Sequence, residues 1–208
     1  MYTPADHTFA ICAYGESPYL EELICSLTKQ TLPTTLLLAT STPNDLICNL
    51  CKKHNIKMYI NEGPGGIAGD WNFAVSCCTT PLVTIAHQDD IYKPTYAEEM
   101  LARINASSLP LIYFTNYGEL RDGREIDNNR LLSVKRRLLY SLGKPENAGK
   151  QWAKRRALKL GCAICCPSVT FCLPNLELPV FEAGFGSNLD WQAWEKISRR
   201  EGDFLYNI

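Results

Sequence analysis

The chain has 208 residues, 46% of them hydrophobic, which is enough for one sizeable core and too little for two comfortable domains. Its formal net charge of −1 gives no global attraction for nucleic acid, so no such partner is expected. The N-terminal MYTPADHT has no basic n-region or apolar h-region, and no apolar run reaches about 18 residues, so neither signal peptide nor spanning helix is expected and the location is cytoplasmic by default.

Short apolar runs alternate with amphipathic stretches along the first half. TFAICA (8–13) reads as a buried strand, and Ser17-Pro18 opens a helix with Leu20, Leu23, Ile24 and Leu27 on one face. TTLLLA (34–39) is a second strand. Thr42-Pro43 opens a second helix carrying Leu46, Ile47 and Leu50 on one side. IKMYI (56–60) is a third strand, ended by the breaker-rich run from Asn61 to Gly66. Ile67, Trp71, Ala74, Val75 and Cys78 mark the next amphipathic helix, and PLVTIA (81–86) is a fourth strand running into His87-Gln88-Asp89-Asp90. Pro94 starts a helix with Ala97, Met100, Leu101 and Ile104 inward, followed by a fifth strand at 109–114.

This alternation predicts an α/β fold with a parallel sheet covered on both faces. Ligands of such sheets bind at the carboxyl ends of the strands. The unusual residues gather there: Tyr14-Gly15-Glu16, Thr40-Ser41, the Gly-rich loop and the Asp pair. The ten cysteines read mainly as small buried hydrophobes with reduced thiols. Cys48-x-x-Cys51 and Cys162-x-x-Cys165 have zinc-like spacing, but the first pair falls on a predicted helix and the usual second knuckle is missing.

Residues 130–159 hold ten Lys and Arg against one acid, Glu146, a charge of +9 that the neutral total conceals. KRRLLYSLGK (135–144) and QWAKRRALKLG (151–161) read as amphipathic helices with Lys and Arg on the polar side. A solvated surface is one reading. A peripheral contact with an anionic inner leaflet is the sharper one, each basic residue adding about 1 kcal/mol.

Adjacent carboxylates at a strand end repel each other, and Mg²⁺ or Mn²⁺ relieves that repulsion by bridging them to substrate phosphates. Asp89-Asp90 has this character, although one Asp capping a helix is the plainer alternative. The loop Gly63-Pro-Gly65-Gly66-Ile-Ala-Gly69, between a strand and a helix, suits phosphate. It also matches G-x-G-x-x-A with Asp89 about twenty residues on, so an NAD(P)-dependent oxidoreductase stays open. Against that, the fingerprint normally follows the first strand of its fold.

As an ordered set, these motifs resemble the inverting glycosyltransferases of family 2. The run FAICAYGES (9–17) resembles the family's opening strand and loop, and Gln30-Thr31-Leu32-Pro33 the end of its first helix. NEGPGGIAGDWN (61–72) is similar to its N-x-G-x-x-G-x-x-x-x-x-N signature, Asp89-Asp90 to the end of its D-x-D-D motif, and LDWQAW (189–194) to its E-D-x-x-x-W helix start. The resemblance is dense over 8–105 and patchy beyond.

The resemblance implies a GT-A fold, Rossmann-like and mostly parallel with helices on both faces. Residues 1–115 would bind nucleotide sugar and 116–208 the acceptor within one domain. It implies a nucleotide-sugar site at Ala13, Tyr14, Glu16, Thr40, Gly66, Asp70, His87 and Gln88, with Tyr14 and Glu16 lining the nucleoside pocket. Thr40 replaces the family's acidic residue at the second strand end, and His87 its first motif Asp. Mn²⁺ or Mg²⁺ would then rest on Asp89 with Asp90 in support. Asp190 would be the general base, and Trp191 and Trp194 a platform for acceptor sugar rings. UDP-sugar is the expected donor and a surface glycan or lipid-linked chain the expected acceptor. A His-containing segment that family members often carry after the Asp190 helix is not reached before Ile208, which suggests a truncated form or a fragment. A catalytically idle sugar-nucleotide-binding domain is the remaining alternative.

Overall fold

The computed structural model describes residues 1–184 and 188–208. Among the described residues nine strands form: β1 (His7–Ala13), β2 (Thr35–Thr40), β3 (Lys57–Ile60), β4 (Leu82–His87), β5 (Pro110–Thr115), β6 (Glu119–Arg121), β7 (Arg124–Ile126), β8 (Val169–Cys172) and β9 (Asp203–Asn207). The helices are α1 (Leu20–Thr28), α2 (Asp45–Lys53), α3 (Ile67–Ser76), α4 (Tyr96–Asn105), α5 (Arg130–Leu139), α6 (Gln151–Leu158) and α7 (Leu189–Ser198). Seven strands make one sheet in the order β3-β2-β1-β4-β8-β5-β9, and β6-β7 is a separate hairpin.

The expected strand-helix alternation holds through β5, with boundaries moved by one to three residues. Parallel pairing of β1 with β2 and β4 buries that strand on both faces, which accounts for its continuous apolar run. α1, α2 and α4 cover one face through Leu23, Ile47 and Met100, among others. α3, α5, α6 and α7 cover the other around Ala74, Leu139, Ala157 and Trp194.

The second half was not legible in this detail. β8 inserts antiparallel between β4 and β5, and β9 lies parallel along β5, so strands from both halves interleave in one sheet. A buried polar chain holds β8 there: His7 Nε2 lies 2.8 Å from the Thr84 hydroxyl, which lies 2.6 Å from that of Thr170, itself 2.9 Å from the Tyr96 hydroxyl.

Three local readings need correction. Asn44 rather than Thr42 caps α2, its Oδ1 accepting from Ile47 N at 2.9 Å. Ile67, expected on the inward face of α3, is exposed. α5 begins at Arg130, not near 135, because the Asn129 side chain accepts from Leu132 N and fixes an earlier start. Among the described residues no helix is long and apolar enough to cross a membrane.

Candidate active site

The carboxyl ends of the first strands lie level with one another. The parallel register sets Ala13 beside Thr40, Thr40 beside Ile60, and Cys12 beside His87. The loops that follow are therefore neighbours, and side chains tie them. The Gln88 amide accepts from Tyr14 N at 2.9 Å and donates to Tyr14 O at 3.0 Å. Thr42 Oγ1 accepts from Gly15 N, and the Asn44 amide donates to Gly15 O. Asp70 accepts from Ser41 Oγ on one oxygen (3.1 Å) and from Asn61 Nδ2 on the other (2.8 Å). Gln88 and Asp70 thus brace the loops, while Tyr14 and Glu16 stand exposed at the rim. The Thr40 hydroxyl accepts from Thr42 N at 3.0 Å, which gives this buried residue a turn-shaping role.

The Gly-rich loop leads into α3. Gly66, at φ +88°, is the residue before the helix, a conformation that glycine takes without strain. Gly69 sits against the loop's own backbone: a Cβ there would lie 2.1 Å from Pro64 O. These two glycines let the chain fold back closely over the first turn, whose free amides and dipole suit an anionic group.

His87 closes β4 with its ring stacked on Trp71 at 4.7 Å and 20°. Burial pulls its pKa down to about 4, against the opposing charges of Asp89 and Asp190, so the ring is neutral at pH 7. Its Nδ1 lies 3.9 Å from Asp90 Oδ2, and its buried Nε2 has no hydrogen-bond partner among the described residues. Burial, and then the adjacent Asp89 carboxylate, raise the Asp90 carboxyl to about 6. Asp89 itself is exposed.

α7 carries Asp190 into the same neighbourhood, where its charge acts on His87 and on the Cys165 and Cys166 thiols. Asp190 Oδ2 accepts from Cys162 Sγ at 3.1 Å and Oδ1 from Trp191 N at 2.8 Å. Lys135 approaches from α5, half-buried, donating to the Tyr117 hydroxyl at 2.7 Å. That hydrogen bond keeps its ammonium above the ordinary value although burial works the other way.

Two expected roles are overturned. Trp194 is fully buried and stacks on Phe171 at 5.7 Å, so it is core and offers no sugar platform. Lys154, assigned to the polar side of its helix, is also buried. It donates to Arg200 O at 2.6 Å and Gly202 O at 3.1 Å, because the closing turn before β9 leaves those carbonyls in need of a donor. Trp191 remains half-exposed, its indole N–H donating to Leu158 O at 3.0 Å. Sequence reasoning missed the loop-bracing role of Gln88, the stacking of Trp71 on His87, and the Cys162 and Lys135 contacts.

Two carboxylates are the protein share of a typical diphosphate-bound Mg²⁺ or Mn²⁺ site, and Asp89 beside a carboxyl raised by repulsion and burial fits that share. Among the described residues no group of three or more His, Cys, Asp or Glu could hold a metal ion.

The sequence matches the family described as Glycosyl transferase family 2 over residues 8–161. This chain belongs to that glycosyltransferase family, and its fold is GT-A. No curated protein matches it. Among solved structures, S. aureus TarS 1–349 is 17% identical with a TM-score of 0.69, covering 97% of this chain and 58% of that one. The mannosyltransferase PcManGT from Pyrobaculum calidifontis, solved with GDP-Man and Mn²⁺, is 15% identical with a TM-score of 0.71, covering 99% and 56%. Glucosyl-3-phosphoglycerate synthase from Mycobacterium tuberculosis, solved with UDP, is 12% identical with a TM-score of 0.54, covering 82% and 57%. The chain thus spans a little over half the length of these structures.

Proposed function

We propose that this chain is the donor-binding and catalytic domain of a metal-dependent, inverting glycosyltransferase, moving a sugar from UDP-sugar to a hydroxyl of a glycan or lipid-linked acceptor. The observation that carries the reading is the convergence of Asp89 and Asp90, just past the end of β4, with Asp190, at the start of α7, around a neutral His87 whose Nε2 has no partner among the described residues. TarS has also been solved with UDP-GlcNAc, and PcManGT with GDP-Man and Mn²⁺, which supports a nucleotide-sugar donor and a divalent ion.

The nucleoside enters between the loops braced by Gln88 and Asp70, against Tyr14 and Glu16 at the rim, with the buried Ala13 and Thr40 shaping the strand ends beneath. The diphosphate approaches the first turn of α3 at Gly66. Asp89, with Asp90 in support, would hold the Mn²⁺ or Mg²⁺, which supplies charge neutralisation to the departing diphosphate. Asp190 takes the proton of the acceptor hydroxyl as its oxygen attacks the anomeric carbon. The new glycosidic C–O bond forms as the bond to the diphosphate breaks on the opposite face, inverting the configuration and releasing UDP. Cys162 holds one Asp190 oxygen, and Trp191 offers the acceptor a half-exposed indole. The enzyme works in the cytoplasm, with a peripheral membrane contact through the α5 part of the basic 130–159 segment.

Calorimetric titration of UDP tests this directly. Binding is expected with Mn²⁺ and lost by tenfold or more in EDTA or in Asp89→Ala. Asp190→Asn should keep UDP affinity and lose at least a hundredfold in transfer, the usual contribution of a general base. UDP binding indifferent to EDTA and to Asp89→Ala would overturn the metal assignment, and metal-free NAD(H) binding would overturn the donor class.

A further inference from the structure

α6 and α7 run antiparallel. Leu158 O takes the Trp191 indole N–H, Arg155 pairs with Glu195, and Lys154 reaches Arg200 O. The Leu158 end of α6 therefore lies beside the Asp190 end of α7. Between the helices runs an open groove of about 960 Å³, within the range of ligand pockets. On α6 and the residue that caps its end it is lined by Trp152, Arg155, Arg156 and Lys159, which recur at helical spacing on the side away from buried Ala153 and Ala157. On α7, Trp191 and Glu195 face them.

The charge in this groove is unbalanced. Glu195 is held by Arg155 and Arg199, whereas Arg156 and Lys159 are exposed and have no carboxylate partner among the described residues. An aromatic ring stands towards each end: Trp152, 55% exposed, and Trp191, next in sequence to the proposed base. Indoles offer flat apolar surfaces to sugar rings, and guanidinium and ammonium groups seek oxyanions. The cations line an open groove bracketed by two aromatic rings, an arrangement that suits an extended chain of sugar rings.

We propose that this groove seats the acceptor and that the acceptor is an anionic glycan, bearing carboxylate or phosphate groups that meet Arg156 and Lys159 while Trp191 steers a hydroxyl towards Asp190. The proposal rests on the glycosyltransferase reading above and adds the chemical class of its second substrate.

The test is direct binding of hexagalacturonate, uncharged maltohexaose and phosphorylated maltohexaose at one ionic strength, with UDP–Mn²⁺ affinity measured on the same samples. Wild type should bind an anionic oligosaccharide at least tenfold more tightly than maltohexaose, and the preferred anion identifies carboxylate or phosphate. Arg156→Gln/Lys159→Gln, at two exposed positions, should weaken that binding at least tenfold with UDP affinity and melting temperature unchanged. Trp152→Ala should weaken all three glycans. Equal binding of charged and uncharged glycans, or an indifferent double variant, overturns the proposal. So does anionic-vesicle binding, or self-association in sedimentation, that the double variant abolishes, since a membrane or a second copy would then be the occupant. Loss of UDP binding by wild type alone overturns the donor reading, whereas missing glycan binding alone overturns this one.

Discussion

Cys162 donates to the carboxylate proposed as the base, and burial together with the Asp190 charge raises its thiol pKa, so it remains an S–H donor at any working pH. Removing it frees one Asp190 oxygen to rotate. Cys162→Ala should lower kcat several-fold with donor affinity unchanged, whereas Cys162→Ser keeps a donor and should keep most of the rate; equal losses in both variants would sink this positioning role. His87 stands where the resemblance implies a carboxylate. Restoring it with His87→Asp should tighten Mn²⁺ about tenfold in the presence of UDP, because hard cations favour oxygen ligands, at the expense of the Trp71 stacking. Unchanged Mn²⁺ affinity would place the ion elsewhere. Asp89, Asp90 and Asp190 could be singled out from the sequence because each sits in a short motif. The partnerships of Cys162 with Asp190 and of Gln88 with Tyr14 span 28 and 74 residues, and no local spacing announces them.

Elements were legible where their signals are local. β1 to β5 and α1 to α4 are written in apolar periods punctuated by Pro, Gly and Asn, and the structure follows them. β8 is four residues long and framed by cysteines and prolines, too short for an apolar period to announce a strand, and only its neighbours in the sheet decide its place. α3 offers an element-scale test. Gly69→Ala drives a methyl into the Pro64 carbonyl, and the loop must move. The expected cost is about 1–3 kcal/mol, the usual range for overpacking, and a weaker UDP interaction should accompany it. Wild-type melting and UDP affinity in this variant would mean that the loop tolerates displacement. α5 needs its charges reassigned. Lys135 turns inward to Tyr117, while Leu131, Val134 and Tyr140 are exposed beside Arg130 and Arg137. A membrane contact should therefore fail in Arg130→Glu/Arg137→Glu, read by flotation with anionic liposomes; wild-type flotation would exclude this face.

For the molecule as a whole, the seven-stranded sheet depends on a polar chain through its centre. His7 is fully buried between Thr34 and Thr84, and the chain continues through Thr170 to Tyr96, joining strands from both halves. Burial lowers the His7 pKa from 6.5 to about 3. Between those values the unfolded chain binds a proton that the folded chain refuses, so stability is intact above pH 6.5 and drains on acidification. One such proton is worth about 1.4 kcal/mol per pH unit, or about 2 kcal/mol by pH 5. His87, lowered to about 4, adds a second loss of the same sign, whereas Asp90, raised to about 6, works in the opposite direction. Both are unaltered in His7→Gln, so the difference between the two proteins isolates the buried ring. At pH 7.5 the variant should be less stable than wild type, because the glutamine amide fits the two hydroxyls less well. As the pH falls to 5 the gap should close by about 2 kcal/mol, measured by urea unfolding at each pH. Parallel stability curves would mean that His7 accepts a proton in the folded state, and the polar chain would then have to open to water at the centre of the sheet.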